Sequence, residues 1–433
     1  MPKVEINSSS SGPALINYTL STPGLPNAHI SQLDTTLPTV LFLHAVYIGH
    51  PFFHRQFSDP NLRRFNLIAF DARCHGLSIG NIPPNFREKD AAEDVFRFMV
   101  RILIQLDSAL DEALNLPQCR LVGVSSGASI ALRTAIRYPE SVASVYLLSP
   151  LPSVEPEIVA EGRQEIYDNW VEANKDPDNV DEEALLDSIL GALHLGFNKS
   201  EEPLVHTLVA STTPKAQINW AKQHFREFHT VSVDFFTDRK DYSVEDLMRL
   251  RRIHTTPRPS PPSLPIDDKL SQSLSSLEIT SSQKGSKFDD DEDEDENPIP
   301  IHIVHCAEDI AYPLHFAEAL RDRLINEAGL SRDKVKLTQI PGAPHLGCVT
   351  HPEPINASIH EWVLSNTPNA ASIPPAKPAQ NVHSPFEEEL TKYGLHDKKK
   401  VQVMVLPGTV VVEEVDEEEE DDLIPLTPIN PLN

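Results

Sequence analysis

The chain has 433 residues, 40% of them hydrophobic, which allows one large domain or two to three smaller ones with a sizeable core. Its formal charge of −27 is concentrated: Asp289–Glu296 is eight acids in a row, and nine of the ten positions from Glu413 to Asp422 are acidic. Nothing resembles a basic stripe, which argues against a nucleic-acid partner, and no run of about 18 apolar residues is present to span a membrane.

Residues 1–12 are polar and lack an apolar h-region, so no signal peptide is expected. The four cysteines, Cys74, Cys119, Cys306 and Cys348, are scattered and form no CxxC pair, so they read as reduced thiols. A soluble, cytoplasmic protein is the expectation, and the sequons at Asn7, Asn17, Asn198 and Asn356 are then idle.

Along the chain, Thr39–His44 (TVLFLH) and Phe65–Phe70 (FNLIAF) are short apolar runs with strand character. Asp90–Leu114 repeats apolar residues at about 3.6 spacing through Val95, Phe96, Met99, Val100, Leu103, Leu106 and Leu110, which predicts a helix. Cys119–Val124 is a third strand, Ser126–Tyr138 a helix ended by Pro139, and Ala143–Leu148 a fourth strand. Short buried strands alternating with helices predict an α/β fold, a mostly parallel sheet with helices on both faces. Residues 1–150 read as the first part of that core. From 151 to 256 the strand signal fades. Helical patterns over Val154–Lys175, Asp181–Leu195 and Pro214–Thr230, carrying Tyr167, Trp170, Trp220 and Phe225, read as an inserted helical cap.

Residues 257–297 are rich in Pro, Ser and acids without periodicity and read as a disordered insertion. The α/β pattern resumes over 298–366, with strands Ile301–His305 and Val335–Ile340 and helices Leu314–Ala328 and Pro352–Ser365. Residues 367–433 are Pro-rich, then basic at Lys398–Lys400, then acidic, and are expected to be a mostly disordered tail. Within it, Val401–Leu406 and Thr409–Val412 pattern as a small hairpin. The acidic runs read as solvated, self-repelling chain, with a docking site for a basic partner as the alternative.

Gly-x-Ser-x-Gly occurs twice, at Gly76–Gly80 and Gly123–Gly127. A nucleophile elbow needs a strand directly before it and a helix directly after, so that a sharp turn lifts the serine hydroxyl above the sheet. CRLV precedes Gly123 and ASIALRTAIRY follows Gly127, whereas Gly80 is followed by Asn81-Ile82-Pro83-Pro84, which begins no helix cleanly. Ser125 is therefore the expected nucleophile, and Ser78 is not. A serine hydroxyl needs an imidazole to take its proton and a carboxylate to fix that imidazole's tautomer. Asp309, just past strand Ile301–His305, and His345, in the loop Pro341-Gly342-Ala343-Pro344, are the candidates, with Glu308 as competitor for the acid. His302 and His305 share a strand, but no HExxH spacing points to a metal.

On these segments the chain resembles the α/β-hydrolase superfamily over residues 14–366, with the cap and the insertion interrupting the match. LFLHAVY (41–47) resembles the family's His-Gly-x-x segment, DARCHGLS (71–78) its loop after the fourth strand, HCAEDIAYP its acid loop and PGAPHLG its histidine loop. The resemblance implies a Ser125–His345–Asp309 triad and an oxyanion hole formed by the backbone N–H groups of Val46 and Ser126. Four positions depart from the pattern: Ala45, Cys74, Cys306 and Ala128 each stand where a Gly is usual. A serine nucleophile implies acyl chemistry on esters, lactones or thioesters, with a carboxylic ester the first expectation, and needs no cofactor. It argues against the epoxide-hydrolase and dehalogenase branches, which use a carboxylate. Two rival expectations stand beside this: a catalytically inactive relative that binds through the same cleft, and an acyltransferase using the same triad.

Overall fold

The computed structural model describes residues 2–23, 33–106, 118–252, 297–376, 383–395, 401–406 and 409–414. The predicted insertion, apart from Asn297, lies outside the described residues. So do positions 107–114 of the helix predicted from Asp90 and most of the acidic end of the chain.

The chain enters through two strands that the sequence reading left unassigned, β1 (Lys3–Ser8) and β2 (Gly12–Ser21), paired antiparallel. In β1, Val4, Ile6 and Ser8 are buried while Lys3, Glu5 and Asn7 are exposed, the period of two of a strand covered on one face. The remaining strands of the main sheet are β3 (Thr39–Leu43), β4 (Asn66–Phe70), β5 (Ile79–Gly80), β6 (Cys119–Val124), β7 (Val142–Leu148), β8 (Ile301–Cys306) and β9 (Val335–Ile340). They form a nine-stranded sheet in the order β1-β2-β4-β3-β6-β7-β8-β9, with β5 pairing β2. Every pairing from β4 to β9 is parallel. Strands β3, β4, β6 and β8 are buried at every position, as expected where helices cover both faces.

The longer helices are α1 (Glu88–Leu106), α2 (Ser126–Arg137), α3 (Glu157–Ala173), α4 (Glu182–Phe197), α5 (Pro203–Asn219), α6 (Leu314–Asn326) and α7 (Pro352–Ser365). Val95, Phe98, Met99 and Ile102 of α1 join Ala131, Leu132 and Ala135 of α2 and Leu324 of α6 in one core. Phe52, Phe53 and Phe57 join Ile355, Ile359 and Val363 of α7 in a second. A third cluster binds α3 and α4 through Trp170, Leu185 and Ile189 to Leu151 and Tyr312.

Pro214, read as a helix start, lies inside α5, which begins eleven residues earlier at Pro203. A proline inside a helix removes one ladder bond and costs about 3 kcal/mol. Here Leu204, Val205 and Leu208 on the first half, and Trp220 at the C-cap, are buried, and that packing holds the helix across the break. The stretch read as continuing to Thr230 breaks at Trp220 and Ala221 and then resumes as helix, with 3-10 turns over Lys222–His224, α over Phe225–His229 and π over Thr230–Asp234.

Part of the predicted tail packs on the core. Ile373, Phe386 and Leu390 are buried in the second core, and the Phe386 ring lies 5.0 Å from that of His50 and 5.2 Å from that of Phe57. Two strands pair farther on, β10 (Val401–Leu406) and β11 (Thr409–Glu414), two residues longer than the predicted hairpin. The Ile299 amide donates to the Leu250 carbonyl at 2.9 Å, joining the described chain before residue 253 to that after residue 296.

Candidate active site

In parallel sheets, side chains that act together gather beyond the carboxyl ends of the strands. Ser125 stands directly after β6, Asp309 three residues after β8, and His345 five residues after β9. The fold brings all three together. Ser125 Oγ lies 2.8 Å from His345 Nε2, and His345 Nδ1 lies 2.6 Å from Asp309 Oδ2. A carboxylate only accepts, so Nδ1 carries the proton and Nε2 is left to accept from the serine hydroxyl. All three side chains are buried.

The local backbone explains the placement. Ser125 has φ 57° and ψ −120°, a conformation L-residues rarely adopt, at the N-cap of α2. Its turn is tight enough that a Cβ on Gly123 would come within 2.2 Å of the Gly127 carbonyl oxygen. A Cβ on Gly127 would come within 2.2 Å of the Leu43 carbonyl oxygen. Both glycines are thus sterically required, while Ala128, the next position, fits in the core. Asp309 is held by its other oxygen, which accepts from the amides of Ala311 at 3.0 Å and Tyr312 at 2.9 Å. Glu308 is exposed, and its amide and carbonyl are bonded to Ala343 and Asn198. Helix α4 reaches the histidine loop too: the Leu346 amide donates to the Gly196 carbonyl.

Ser126 is the first residue of α2, and Val46 sits in the turn after β3. Neither amide donates to a protein acceptor among the described residues. His44 explains the neighbouring turn. Its Nδ1–H donates to the Ala45 carbonyl at 2.7 Å, and its Nε2 accepts from the Ala72 amide at 2.8 Å. Burial, with the nearby His75, lowers its pKa to about 4, so the ring stays neutral.

Ser78 of the other Gly-x-Ser-x-Gly is fully buried. It donates to the Asp71 carbonyl and accepts from the Asn17 amide, and no helix follows it. Cys74 has φ 57°, which accounts for a Gly being usual there. Burial pushes its thiol up to about 12. His302 and His305, three apart on β8, face opposite sides: His302 bonds Thr338, while His305 lies near Asp309.

A cavity with about 940 Å³ of empty space, part of it open to solvent, is lined by Ser125 and His345 and, from α3 and the end of α5, by Trp170, Arg163 and Trp220. A second, of about 700 Å³, is lined by Val46 and Ser126 together with His44 and His75. Both tryptophans are buried, joined by a Trp170 Nε1 bond to the Trp220 carbonyl, so they pack and line the cavity at once. The sequence reading did not single out Arg163, which lines this cavity from α3.

A family model described as alpha/beta hydrolase fold matches residues 38–352. The chain is similar to a thermophilic esterase from Thermogutta terrifontis at 15% identity and TM-score 0.51, covering 84% of this chain and 99% of that one. It is similar to the enol-lactonase from Burkholderia xenovorans LB400 at 12% identity and TM-score 0.50, with the same coverage. At these identities the likeness is one of fold. A curated relative, "Putative carbamate hydrolase RutD" of Pantoea ananatis, is 28% identical over 85 residues, which is 20% of this chain and 26% of that protein. The match therefore spans about a quarter of the relative's length.

Proposed function

We infer that this chain, which belongs to the α/β-hydrolase fold family, is a serine hydrolase that cleaves an acyl bond, in the first instance that of a carboxylic ester. The observation that carries this reading is the unbroken hydrogen-bond chain from Ser125 through His345 to Asp309, opening on a cavity. Ser125 Oγ attacks the carbonyl carbon as His345 Nε2 takes its proton. Asp309 holds the imidazole in the tautomer that can accept and stabilises the imidazolium that results. The oxygen that gains charge is received by the uncommitted amides of Val46 and Ser126. His345 then gives its proton to the leaving group. Water, activated in the same way, releases the acid from the acyl-enzyme. The scheme needs no cofactor. Lactones and thioesters fit the same steps.

A cytoplasmic location belongs to this reading. The four cysteines are free, which suits a reducing compartment, and no helix among the described residues is long and apolar enough to cross a membrane.

Labelling with a fluorophosphonate probe followed by peptide mass spectrometry tests the proposal. Adduct on Ser125, absent in Ser125→Ala, is expected. Well-folded protein that takes up no probe would overturn the reading in favour of a binding role.

A further inference from the structure

The cavity that holds Ser125 takes its shape from two helices. On α5 its lining positions recur at three- and four-residue steps from Val205 to Ala216, and on α4 they share one face from Ser188 to Gly196. At 1.5 Å per residue these faces run about 16 Å along α5 and about 12 Å along α4, so the cavity is an elongated furrow. Aromatic surface closes its Ala216 end. The Trp220 amide donates to the Ala216 carbonyl, and the Phe228 ring lies 5.4 Å from that of Trp220 and 5.5 Å from that of Trp170. Leu346, beside the catalytic histidine, lines it next to Gly196.

Outside the triad the polar groups on these walls are turned to the protein. Among the described residues lining the cavity, only Arg163 is permanently charged. It donates to Glu155 at 2.7 Å, to the Tyr312 hydroxyl at 3.0 Å and to the Tyr47 hydroxyl. Its charge is matched too: Arg163, Arg239 and Arg133 are paired with Glu155, Glu88 and Asp246. The Ser188 and Thr213 hydroxyls donate to the Ile166 and Val209 carbonyls, each at 2.9 Å, and the Trp170 Nε1 bond goes to the Trp220 carbonyl. A charged group brought into the furrow would shed its hydration without gaining a partner, whereas a hydrocarbon chain leaves water for an apolar surface.

We propose that the furrow between α4 and α5 seats a medium-length, uncharged hydrocarbon arm of the substrate, so that the preferred substrates are neutral esters with a long acyl or alkyl chain. The proposal rests on the hydrolase reading, and the test keeps the two apart. Hydrolysis is measured for methyl esters from acetate to decanoate and for acetates of the matching alcohols. In one of the two series kcat/KM should climb about threefold to fourfold per added methylene, the scale of burying one CH₂ group, and then level off. A terminal carboxylate on that same chain should cost at least about tenfold. Ala192→Phe and Ala216→Phe each put a ring into the furrow, and the ratio of octyl-chain to shortest-chain kcat/KM should fall at least about tenfold, the worth of two displaced methylenes. Direct binding carries the test if neither variant folds. 2-Decanone, a neutral ketone that is not hydrolysed, should change the fluorescence of Trp170 and Trp220, two of the chain's three tryptophans, in Ser125→Ala protein. Two flat or falling series, a ratio unmoved in folded variants, or no fluorescence response to the ketone overturns the proposal. Ketone binding by wild type whose Ser125 takes no fluorophosphonate keeps the furrow and sinks the hydrolase reading. Labelled Ser125 without any dependence on chain length sinks the furrow alone.

Discussion

Replacing Asp309 by Asn separates the electrical role of this carboxylate from its structural one. Oδ1 of Asp309 accepts two backbone amides, and an Asn oxygen accepts the same two, so the loop should hold. The other oxygen, 2.6 Å from His345 Nδ1, becomes an NH2 group that donates where it formerly accepted. Two donors cannot face each other at that distance. The imidazole must therefore move its proton to Nε2, which then points N–H at Ser125 and can no longer accept the hydroxyl proton. Loss of tautomer control of this kind lowers kcat about 10⁴-fold, or about 5 kcal/mol of barrier. Asp309→Ala removes the acceptor of the Ala311 and Tyr312 amides as well, and should further destabilise the fold by about 1–3 kcal/mol. Steady-state hydrolysis of a 4-nitrophenyl ester and urea denaturation read the two effects. An Asp309→Asn protein that folds and turns over within tenfold of wild type would refute the assigned role.

Gly127→Ala should destabilise by about 3 kcal/mol or more, because the new methyl meets the Leu43 backbone rather than a side chain that can swing away; thermal melting reads this. Phe386→Ala should cost about 3–5 kcal/mol, and a chain ended at 376 should lose the same anchor while one ended at 395 keeps it; urea midpoints compare them. Stability should also fall with acid. His44 has a folded pKa of about 4 against 6.5 unfolded, so between those values the unfolded chain binds more protons, and the contribution present above pH 6.5 is lost as pH drops through 4. The loss is on the order of 3 kcal/mol, and His44→Gln should flatten the slope of unfolding free energy against pH.

The sheet was legible because fully buried parallel strands leave dense apolar runs, and β6 and β9 match the predicted bounds. Strand β1 was not, since its two apolar side chains, Val4 and Ile6, are too few to stand out from a polar terminus. Helix α5 was misread because proline is a strong local signal for a helix boundary, and only tertiary packing of Leu204, Val205 and Leu208 overrides it. At the site, strand–serine–helix order and the loops after β8 and β9 marked Ser125, Asp309 and His345. Arg163 left no trace of that kind. Its partners Glu155 and Tyr312 lie 8 and 149 residues away, and only the folded chain puts them around one guanidinium. Phe386 was hidden for the opposite reason, being a single anchor in a stretch whose average composition is that of a solvated tail.

The bond between Ile299 and Leu250, both buried, brings the chain back to the core beside the point where it leaves it. The strand that follows, β8, receives its starting position from Leu250 and from its neighbours β7 and β9. Such a place is a natural splice. A short linker, or a whole folded module whose own ends lie close together, can be seated there while Asp309 is still delivered to His345.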